Sequence, residues 1–483
     1  MHTRIILKVL GLLLMLFSIT LIPPIIVSLI YKDGGTYAFT SAFVWMLLVG
    51  TTFWFFTRHE THDLKIRDGF VIVVMFWTVL GLVGAIPLYF AAATDISVTD
   101  AIFESFSGLT TTGATVLNGL DHLPHALLWY RQQLQWLGGM GIIVLAVAIL
   151  PMLGIGGMQL YRAETPGPVK DNKLAPRISE TAKTLWYIYL GITIACAISF
   201  WAAGMSWFDA IGHSFSTVAI GGFSTHDASI GHFDSVHIEM ITMLFMYIAG
   251  INFALHFTAY RHMSVQRYLS DPEYKAYTFI LLGGIAIVSF YLYATQTYPT
   301  WAESLRYGSF QVMSIATTAG FASADFSSWP VFLPIFLILM SYIGGSAYST
   351  GGGMKVIRVM LLFKQGLREI QKLLHPNAMM PVKLNGKPVS EKIMAAIWGF
   401  FSLYVFTVVV STLILLAMGL DPMTAFSSVT ATITNLGPGL GDVASNFSSL
   451  SDPVKWFLTF LMVLGRLELF TILILFSAAF WRK

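Results

Sequence analysis

Four stretches of this chain share one pattern that decides the fold. They read DAIFESFSGLTTTG at residues 100–113, DAIGHSFSTVAIGG at 209–222, YGSFQVMSIATTAG at 307–320 and TAFSSVTATITNLG at 424–437. Each begins with residues that suit a short helix, turns polar or glycine-rich, and closes on a glycine, namely Gly113, Gly222, Gly320 and Gly437. Because an apolar run lies before and after every stretch, the chain contains a fourfold internal repeat.

The composition indicates a membrane protein. Of the 483 residues, 56% are hydrophobic and 11% are charged, whereas soluble domains carry roughly 25% charged residues. This excludes an ordinary soluble enzyme. Apolar runs of about 20 residues, the length that crosses a bilayer core, recur along the sequence. The net charge of +3 gives no indication of nucleic-acid binding, and the single cysteine, Cys196, excludes an internal disulfide.

These runs predict an all-α polytopic membrane protein with ten transmembrane helices and four pseudo-symmetric repeats of helix, re-entrant pore helix with pore loop, and helix. We expect spans near residues 5–30, 37–57, 69–93, 125–151, 184–204, 236–260, 276–296, 331–364, 393–419 and 455–480. Two extra N-terminal helices occupy residues 1–68, and the repeats occupy 69–183, 184–275, 276–392 and 393–483. Lys and Arg concentrate in the segments 57–69, 154–184, 260–276 and 355–392. The positive-inside rule therefore places both termini and these segments in the cytoplasm.

The repeated stretches predict a cation filter. Irregular backbone survives at membrane depth only where it is buried in protein or lines a watery cavity. Carbonyl oxygens that face a common axis can replace the hydration shell of a cation, and a terminal glycine permits a positive φ and a close approach of four backbones. The side chains vary freely among the four stretches, which favours coordination by the backbone. The predicted filter residues are Thr111, Thr112, Gly113, Ile220, Gly221, Gly222, Thr318, Ala319, Gly320, Asn435, Leu436 and Gly437.

The same residues carry a family resemblance. The stretches GLTTTGA at 108–114, IGGFSTHD at 220–227 and NLGPGLG at 435–441 resemble the Trk/Ktr/HKT superfamily of potassium transporters, and the similarity covers essentially the whole chain. In that superfamily a glycine at the end of each pore loop accompanies K+ selectivity, whereas a serine in the first loop accompanies Na+ preference. With glycine at all four positions, the resemblance implies K+ transport across a bacterial inner membrane, K+ bound only at the filter carbonyls, and pairing into homodimers.

The eighth predicted span is too long and too rich in glycine for one helix. Residues 331–364 would form a helix of about 51 Å. The run that interrupts it has little helix propensity and consists of Gly344, Gly345, Ser346, Ala347, Tyr348, Ser349, Thr350, Gly351, Gly352 and Gly353. We expect a broken helix whose central loop lies inside the protein below the filter, where the resemblance implies an intramembrane gate. A simple kink or a close-packing site is the alternative interpretation.

Arg466 lies about a dozen residues into the last span, and an ionisable residue at that depth is a functional hypothesis by default. We expect the Arg466 side chain to place a fixed positive charge in the ion pathway, where it limits how many cations occupy the pathway. The resemblance supports this role, because an Arg in the corresponding helix faces the pathway in that superfamily. The alternative is structural pairing with backbone carbonyls or with a neighbouring helix. Glu468 projects to nearly the opposite helix face and is not the expected partner of Arg466.

Other polar residues near the pore loops are predicted to be supports. Arg131 is expected to brace the loops, and hydrogen-bonded roles are expected for Glu104, His213 and Gln311 in the re-entrant helices. The histidines at 226, 232 and 237 match no metal-ligand spacing. The sequence therefore predicts no metal site beyond the filter.

Regulation is expected to come from outside the chain. No soluble domain and no Rossmann fingerprint is recognisable in the sequence, so no cofactor is expected. The resemblance implies a cytosolic nucleotide-binding regulatory subunit of TrkA type, and the basic segment 355–392 is the expected handle on the broken helix. A proton- or sodium-coupled K+ symporter of the same architecture is the main alternative. The spans offer no catalytic set for an intramembrane enzyme, and a structural scaffold would not need four registered loops.

Overall fold

The protein is built almost entirely of helices, as the sequence predicts. The structure is a computed structural model that describes residues 3–60, 66–91, 94–141 and 178–482. The N-terminal pair and the first repeat contain α1 Thr3–Ile19, α2 Ile22–Tyr31, α3 Thr36–Thr57, α4 Ile66–Gly84, α5 Ile86–Tyr89, α6 Val98–Leu109 and α7 His125–Gly139. The second repeat contains α8 Ile178–Ala202, α9 Trp207–Val218, α10 Val236–Ala249, α11 Phe253–His262 and α12 Gln266–Ser270.

The second half of the chain repeats this order. The third repeat contains α13 Pro272–Ala294, α14 Trp301–Ala316, α15 Phe332–Ser341 and α16 Val356–Leu374, followed by the antiparallel strands β1 Lys383–Leu384 and β2 Lys387–Pro388. The fourth contains α17 Glu391–Ala417, α18 Pro422–Ile433, α19 Asp452–Arg466, α20 Phe470–Leu473 and α21 Ala478–Trp481. Short 3-10 turns occur at Leu120–His122, Ser229–Phe233, Phe326–Ser328, Gly441–Val443 and Ile474–Phe476.

Six helices in the described part of the chain are long and apolar enough to cross a membrane. They are Thr3–Tyr31, Thr36–Thr57, Arg67–Tyr89, Lys183–Ala202, Pro272–Ala294 and Glu391–Ala417. Two bent pairs bring the number to eight if each pair is one span. Of the other two predicted spans, 331–364 is interrupted, and 125–151 leaves the described residues after residue 141. Most of the predicted basic loop 154–184 also lies outside the described residues.

Each repeat contains one short helix that a side chain caps at its start. Helices α6, α9 and α18 have 12 residues and α14 has 16. At 1.5 Å per residue they are about 18 to 24 Å long, too short for a hydrocarbon core of about 30 Å. Backbone N–H groups in the first turn donate to the capping side chains Ser97, Ser206, Thr300 and Asp421. Because such a cap contributes about 1 kcal/mol, local sequence determines where these helices begin.

In repeats 2, 3 and 4 the helix that follows the short helix is broken, and in repeat 3 the break lies between Ser341 and Val356. Helix α10 bends by 89° into α11, and α19 bends by 106° into the helical segment Phe470–Phe476. The predicted spans 236–260 and 455–480 therefore each contain a bend. At the first bend, Asn252 caps a new helix by accepting a hydrogen bond from the N–H of Ala254 at 2.8 Å. At the second, Glu468 and Leu469 have positive φ values of 54° and 52°, which a right-handed helix does not contain.

The four repeats pack in a closed ring. Each helix that follows a short helix also packs against the short helix of the next repeat: α7 on α9, α10 on α14, α15 on α18, and α19 back on α6. One large apolar core joins the N-terminal pair to repeats 1 and 4, and a second joins repeats 2 and 3. Helix α1 packs along α3, where a Cβ on Gly11 would lie only 2.8 Å from the carbonyl oxygen of Gly50. Small residues permit this close helix approach.

Candidate functional site

All four short helices end in the same backbone motif. In α6 the N–H of Thr111 donates to the carbonyl of Gly108 at 3.0 Å, and the N–H of Thr112 donates to that of Ser107 at 2.9 Å. This is the Schellman motif. It recurs with the donor pairs Ile220 and Gly221, Thr318 and Ala319, and Asn435 and Leu436. Since the N–H and C=O of a planar trans peptide point in opposite directions, the carbonyls that precede these donors point away from their own helix.

Two residues in each segment have a positive φ, and the motif requires the first of them. The first has φ of 55° at Thr111, 54° at Ile220, 70° at Thr318 and 55° at Asn435. The second is the terminal glycine, with φ of 83° at Gly113, 80° at Gly222, 79° at Gly320 and 99° at Gly437. A residue with a Cβ loses roughly 1–2 kcal/mol in this conformation. The hydrogen bonds of the Schellman motif offset that cost at the first position, and glycine avoids it at the second.

The four terminal glycines form a ring of close contacts. A Cβ on each glycine would collide with the carbonyl oxygen of the residue just before the glycine of the next segment. The distances are 2.1 Å for Gly113 to Gly221, 2.1 Å for Gly222 to Ala319, 2.1 Å for Gly320 to Leu436 and 2.6 Å for Gly437 to Thr112. Any side chain at these positions would therefore push neighbouring segments apart. The structure thus brings together all twelve residues that the sequence predicts for the filter.

Side chains from the short helices hold the chain that leaves each terminal glycine. Glu104 accepts a hydrogen bond from the N–H of Val116 at 2.9 Å. His213 Nε2 bonds to Ser224 Oγ at 2.9 Å, and Gln311 Nε2 donates to the carbonyl of Ala324 at 2.6 Å. In the fourth repeat Ser427 Oγ accepts from the N–H of Leu440 and donates to its carbonyl. These contacts confirm the supporting roles predicted for Glu104, His213 and Gln311.

Arg131 braces two repeats, as predicted. Its Nε donates to Glu104 Oε1 at 2.7 Å, and both side chains are almost fully buried. Its Nη1 donates to the carbonyl of Ser224 at 3.2 Å, and the guanidinium lies over the Phe223 ring, 4.2 Å from the centroid. Arg131 therefore connects the first short helix, through a buried ion pair, with the segment that follows Gly222.

Two side-chain amides attach ring segments to the neighbouring repeat, one of them from helix α7. Gln135 Nε2 donates to the carbonyl of Gly221 at 2.5 Å, and its Oε1 accepts from the N–H of Phe223 at 3.0 Å. Asn435 Nδ2 donates to Thr112 Oγ1 at 2.9 Å and so joins the last segment to the first. Both residues fix the spacing of the ring through hydrogen bonds that no local sequence pattern reveals.

The glycine-rich segment 344–353 lies against the C-terminal ends of the short helices of repeats 2, 3 and 4. Helix α15 ends at Ser341 and α16 begins at Val356, so the chain between them is not helical. Thr350 Oγ1 donates to the carbonyl of Val218 at 2.9 Å. The N–H of Gly352 donates to Thr318 Oγ1 at 2.7 Å, and that of Gly353 to the carbonyl of Thr434 at 3.1 Å. The segment therefore contacts repeats 2, 3 and 4 directly where their short helices end.

Arg466 connects this segment to the first repeat. Its Nη1 donates to the carbonyl of Thr350 at 2.9 Å, and its Nη2 donates to that of Gly138 at 2.7 Å. Its guanidinium also lies near the Trp77 ring, 5.5 Å from the centroid. These hydrogen bonds match the second interpretation of Arg466 given above, in which the side chain pairs with backbone carbonyls. The pathway role of the charge stays a prediction.

Comparison with known proteins agrees with the geometry of the ring. The TrkH family, described as cation transport proteins, matches residues 35–483. The chain belongs to the TrkH family. It is 55% identical to the Trk system potassium uptake protein TrkH of Salmonella typhimurium, with 100% of both chains covered. It is 41% identical to the Trk system potassium uptake protein TrkG of Escherichia coli, covering 100% of this chain and 99% of that protein.

A solved member of the TrkH family has the same fold. The crystal structure of the potassium transporter TrkH from Vibrio parahaemolyticus matches this chain with a TM-score of 0.92 at 52% identity, and 100% of both chains is covered. The superfamily resemblance inferred from three motifs is therefore confirmed, together with the helical membrane fold. The relatives are named as uptake proteins and a transporter, not as enzymes.

Three charged residues that hold the segment 344–353 or the start of α16 were not found from the sequence. Glu273 accepts a hydrogen bond from the N–H of Ala347 at 2.7 Å, and Lys355 Nζ donates to the carbonyl of Gly351. Arg358 forms an ion pair with Glu468 at 2.5 Å. The sequence shows only that these charged residues lie next to apolar runs. It does not show their partners, because Arg358 and Glu468 are 110 residues apart.

Proposed function

We propose that this chain takes up K+ across a bacterial inner membrane through the ring of four segments that end at Gly113, Gly222, Gly320 and Gly437. The observation that carries the proposal is the cyclic contact of each terminal glycine with the carbonyl oxygen of the next segment. The names of the relatives as potassium uptake proteins agree with it. In this proposal the chain acts as a transporter, and its function includes no enzymatic step.

The chemistry of the ring suits a dehydrated monovalent cation. The predicted filter residues bring no ionised side chain, so the oxygens available to an ion are backbone carbonyls and a few hydroxyls. Rings of carbonyl dipoles replace the hydration shell of K+ without fixing it as a carboxylate would. The four short helices also end at the ring, and their negative C-terminal ends favour a cation there. K+ is then the cargo of the chain and requires no further cofactor.

In the proposed mechanism, residues 344–353 form the gate. This loop is anchored to three repeats by hydrogen bonds to Val218, Thr318 and Thr434. Arg466 holds it from the opposite side through the carbonyl of Thr350. Opening then requires that these bonds break together, which makes the loop a two-state element rather than a gradual constriction.

A partner on the cytoplasmic side can reach this gate through the basic segment 355–392. Ala347 of the loop packs in a small apolar core with Ile357 and Leu361 of α16, Val382, and Met394 of α17. A force on α16 is therefore transmitted to the middle of the loop. We expect the partner to be a nucleotide-binding regulatory subunit of TrkA type, as in the superfamily, and the assembly to be a homodimer with cytoplasmic termini.

The test is uptake of K+ and Na+ by the purified chain in liposomes. The membrane potential is imposed, and the proton and sodium gradients are set independently of it. We expect K+-selective flux that follows the potential and ignores the other gradients. Flux with no preference for K+ would contradict the filter assignment.

A proton- or sodium-coupled K+ symporter is the second candidate. The re-entrant elements and broken helices favour it, since secondary transporters use both. Against it, the four repeats follow one another in a closed ring, whereas alternating-access transporters are commonly built from inverted pairs. Flux that requires a proton or sodium gradient in the liposome assay would select the symporter.

A further inference from the structure

A group of potential metal ligands lies outside the ring, on the segments that follow the first two terminal glycines. Asp121 belongs to the 3-10 turn after Gly113, and His226 and His232 lie after Gly222. One ligand atom from each side chain lies within 4.8 Å of the others. We propose that Asp121, His226 and His232 form a binding site for a divalent transition-metal ion of the Zn²⁺ type, on the side of the ring opposite the segment 344–353.

The three ligand atoms lie close together near the surface. His226 Nδ1 contacts Asp121 Oδ1, and His232 Nδ1 lies 4.0 Å from the same oxygen. Two imidazoles and one carboxylate are ligands that Zn²⁺ prefers, and three protein ligands leave a fourth position for water. The two rings are stacked with centroids 3.5 Å apart. Because their planes are parallel, His232 must rotate to bind the shared ion, and its side chain, 43% exposed, has room to do so.

A second carboxylate lies beside the central histidine. His226 Nε2 lies 3.4 Å from Asp209 Oδ1. Asp209 is itself held by Ser206 Oγ and Thr225 Oγ1, each at 2.7 Å. In metal sites the free ring nitrogen of a histidine ligand commonly donates to such a carboxylate, which fixes the tautomer that the metal requires. This arrangement distinguishes the group from a chance cluster of surface side chains.

Occupation of the site would change the charge at the pathway entrance. Asp121 is the one acidic residue of the three, so a bound Zn²⁺ with its two positive charges makes the group positive. A positive charge beside a cation pathway lowers the local K+ concentration and the rate of entry. The ion would also tie the loop of repeat 1 to that of repeat 2. This effect on flux rests on the proposed function, whereas metal binding itself does not.

The first test is Zn²⁺ binding to the full chain in detergent, measured by calorimetric titration after removal of metals with a chelator. We expect one site in the wild-type chain, and a dissociation constant at least about tenfold higher in His226→Gln and in His232→Gln, since each loses a ligand. The matched control is His237→Gln, an exposed histidine of the same region that should bind as the wild type. Absence of a site in the wild-type chain, or equal binding in all variants, would overturn the proposal. Because His232 is exposed, its replacement leaves folding intact and keeps the test valid if His226→Gln fails to fold.

The second test is K+ uptake by liposomes with Zn²⁺ on the outer side of the protein. We expect uptake to fall about threefold or more in the wild type and in His237→Gln, and to stay unchanged in His232→Gln. Binding without any change in uptake would overturn the inferred effect on ion entry. If the titration finds one zinc site but the zinc-free protein takes up no K+, the proposed function fails and the metal site stands. The two failures are therefore distinguishable.

Discussion

The carboxylate of Glu273 accepts a hydrogen bond from the backbone N–H of Ala347 at 2.7 Å. The same oxygen lies 3.3 Å from the N–H of Ile357, the second residue of α16. Glu273 belongs to the first turn of α13 and is buried. One side chain therefore holds both the middle of the glycine-rich loop and the start of the helix that leaves it, and the loop can move only when these bonds are lost.

Replacing Glu273 by Ala should loosen the loop. The two hydrogen bonds contribute about 1 kcal/mol each, so we expect partner-free K+ flux in liposomes to rise about tenfold or more. Glu369→Ala, which removes an exposed carboxylate of α16, is the control and should leave flux unchanged. Shortening residues 346–350 should also raise flux. If both changes leave flux at the wild-type level, the loop is not the gate.

Substitutions at Arg466 separate its two interpretations. The guanidinium bridges the carbonyls of Thr350 and Gly138 with two different nitrogens, and an ammonium group cannot reproduce that fork. If bridging matters, Arg466→Lys and Arg466→Gln should both raise partner-free K+ flux about tenfold. If only the positive charge matters, Arg466→Lys should behave as the wild type. Arg4→Gln, which removes an exposed arginine, is the control.

Replacing Gly113 by Ser should weaken discrimination between K+ and Na+. The new Cβ would lie 2.1 Å from the carbonyl oxygen of Gly221 and would force the ring to open at that point. We expect the ratio of K+ to Na+ uptake to fall about tenfold, which corresponds to about 1.4 kcal/mol. Gly119→Ala is the matched control, because Gly119 also has a positive φ but nothing within 4 Å of its Cβ position. An unchanged ratio in Gly113→Ser would remove the ring from the selectivity mechanism.

Removing one partner of the Arg131 and Glu104 ion pair should destabilise the protein strongly. Both side chains are almost fully buried, and breaking a buried pair costs about 3–5 kcal/mol because an uncompensated charge is left behind. We expect Arg131→Met and Glu104→Gln each to lower the melting temperature in detergent. The double variant should lose less than the sum of the single losses. Additive losses would mean that the pair is not coupled.

Asp33 should make the stability of the protein depend on pH. This residue lies between α2 and α3, and burial acts to raise its pKa. Hydrogen bonds from Ser28 Oγ and from the N–H groups of Ala126 and Gly35 outweigh burial and lower the pKa below 3.8. Because the pKa of Asp33 is lower in the folded than in the unfolded protein, ionised Asp33 stabilises the fold above about pH 4. This stabilisation is lost as the pH falls through the pKa of the folded protein.

The corresponding test compares Asp33→Ala with the wild type at two pH values. At pH 7 we expect Asp33→Ala to lower the free energy of unfolding by about 2 kcal/mol, because three hydrogen bonds of roughly 1 kcal/mol are lost in part to water. At pH 3 the difference in melting temperature should be smaller, because the stability that a lowered pKa provides starts to be lost once the pH falls below the unfolded value of about 3.9. A difference that is equal at both pH values would contradict the assignment.

Much of the fold could be predicted from the sequence because few backbone structures are stable in a bilayer. Each backbone polar group at membrane depth must be paired inside the protein, so apolar runs become helices and the four registered stretches become short re-entrant ones. The capping residues Ser97, Ser206, Thr300 and Asp421 act within a few residues of the chain, and such local signals can be read directly. The bends after Ala249 and Arg466 could not be predicted, since hydropathy is continuous across them.

The sequence by itself determined the fourfold repeat, the family and the glycines of the ring, because these depend on local composition and on spacing along the chain. Only the tertiary structure decided which residues hold the glycine-rich loop and that Asp121, His226 and His232 lie close together. Glu273 and Ala347, Arg466 and Gly138, and Asp121 and His226 are each separated by 74 to 328 residues. Such pairs form only when the four repeats close into a ring. The sequence pattern of one repeat does not specify which side chains of another repeat will contact it.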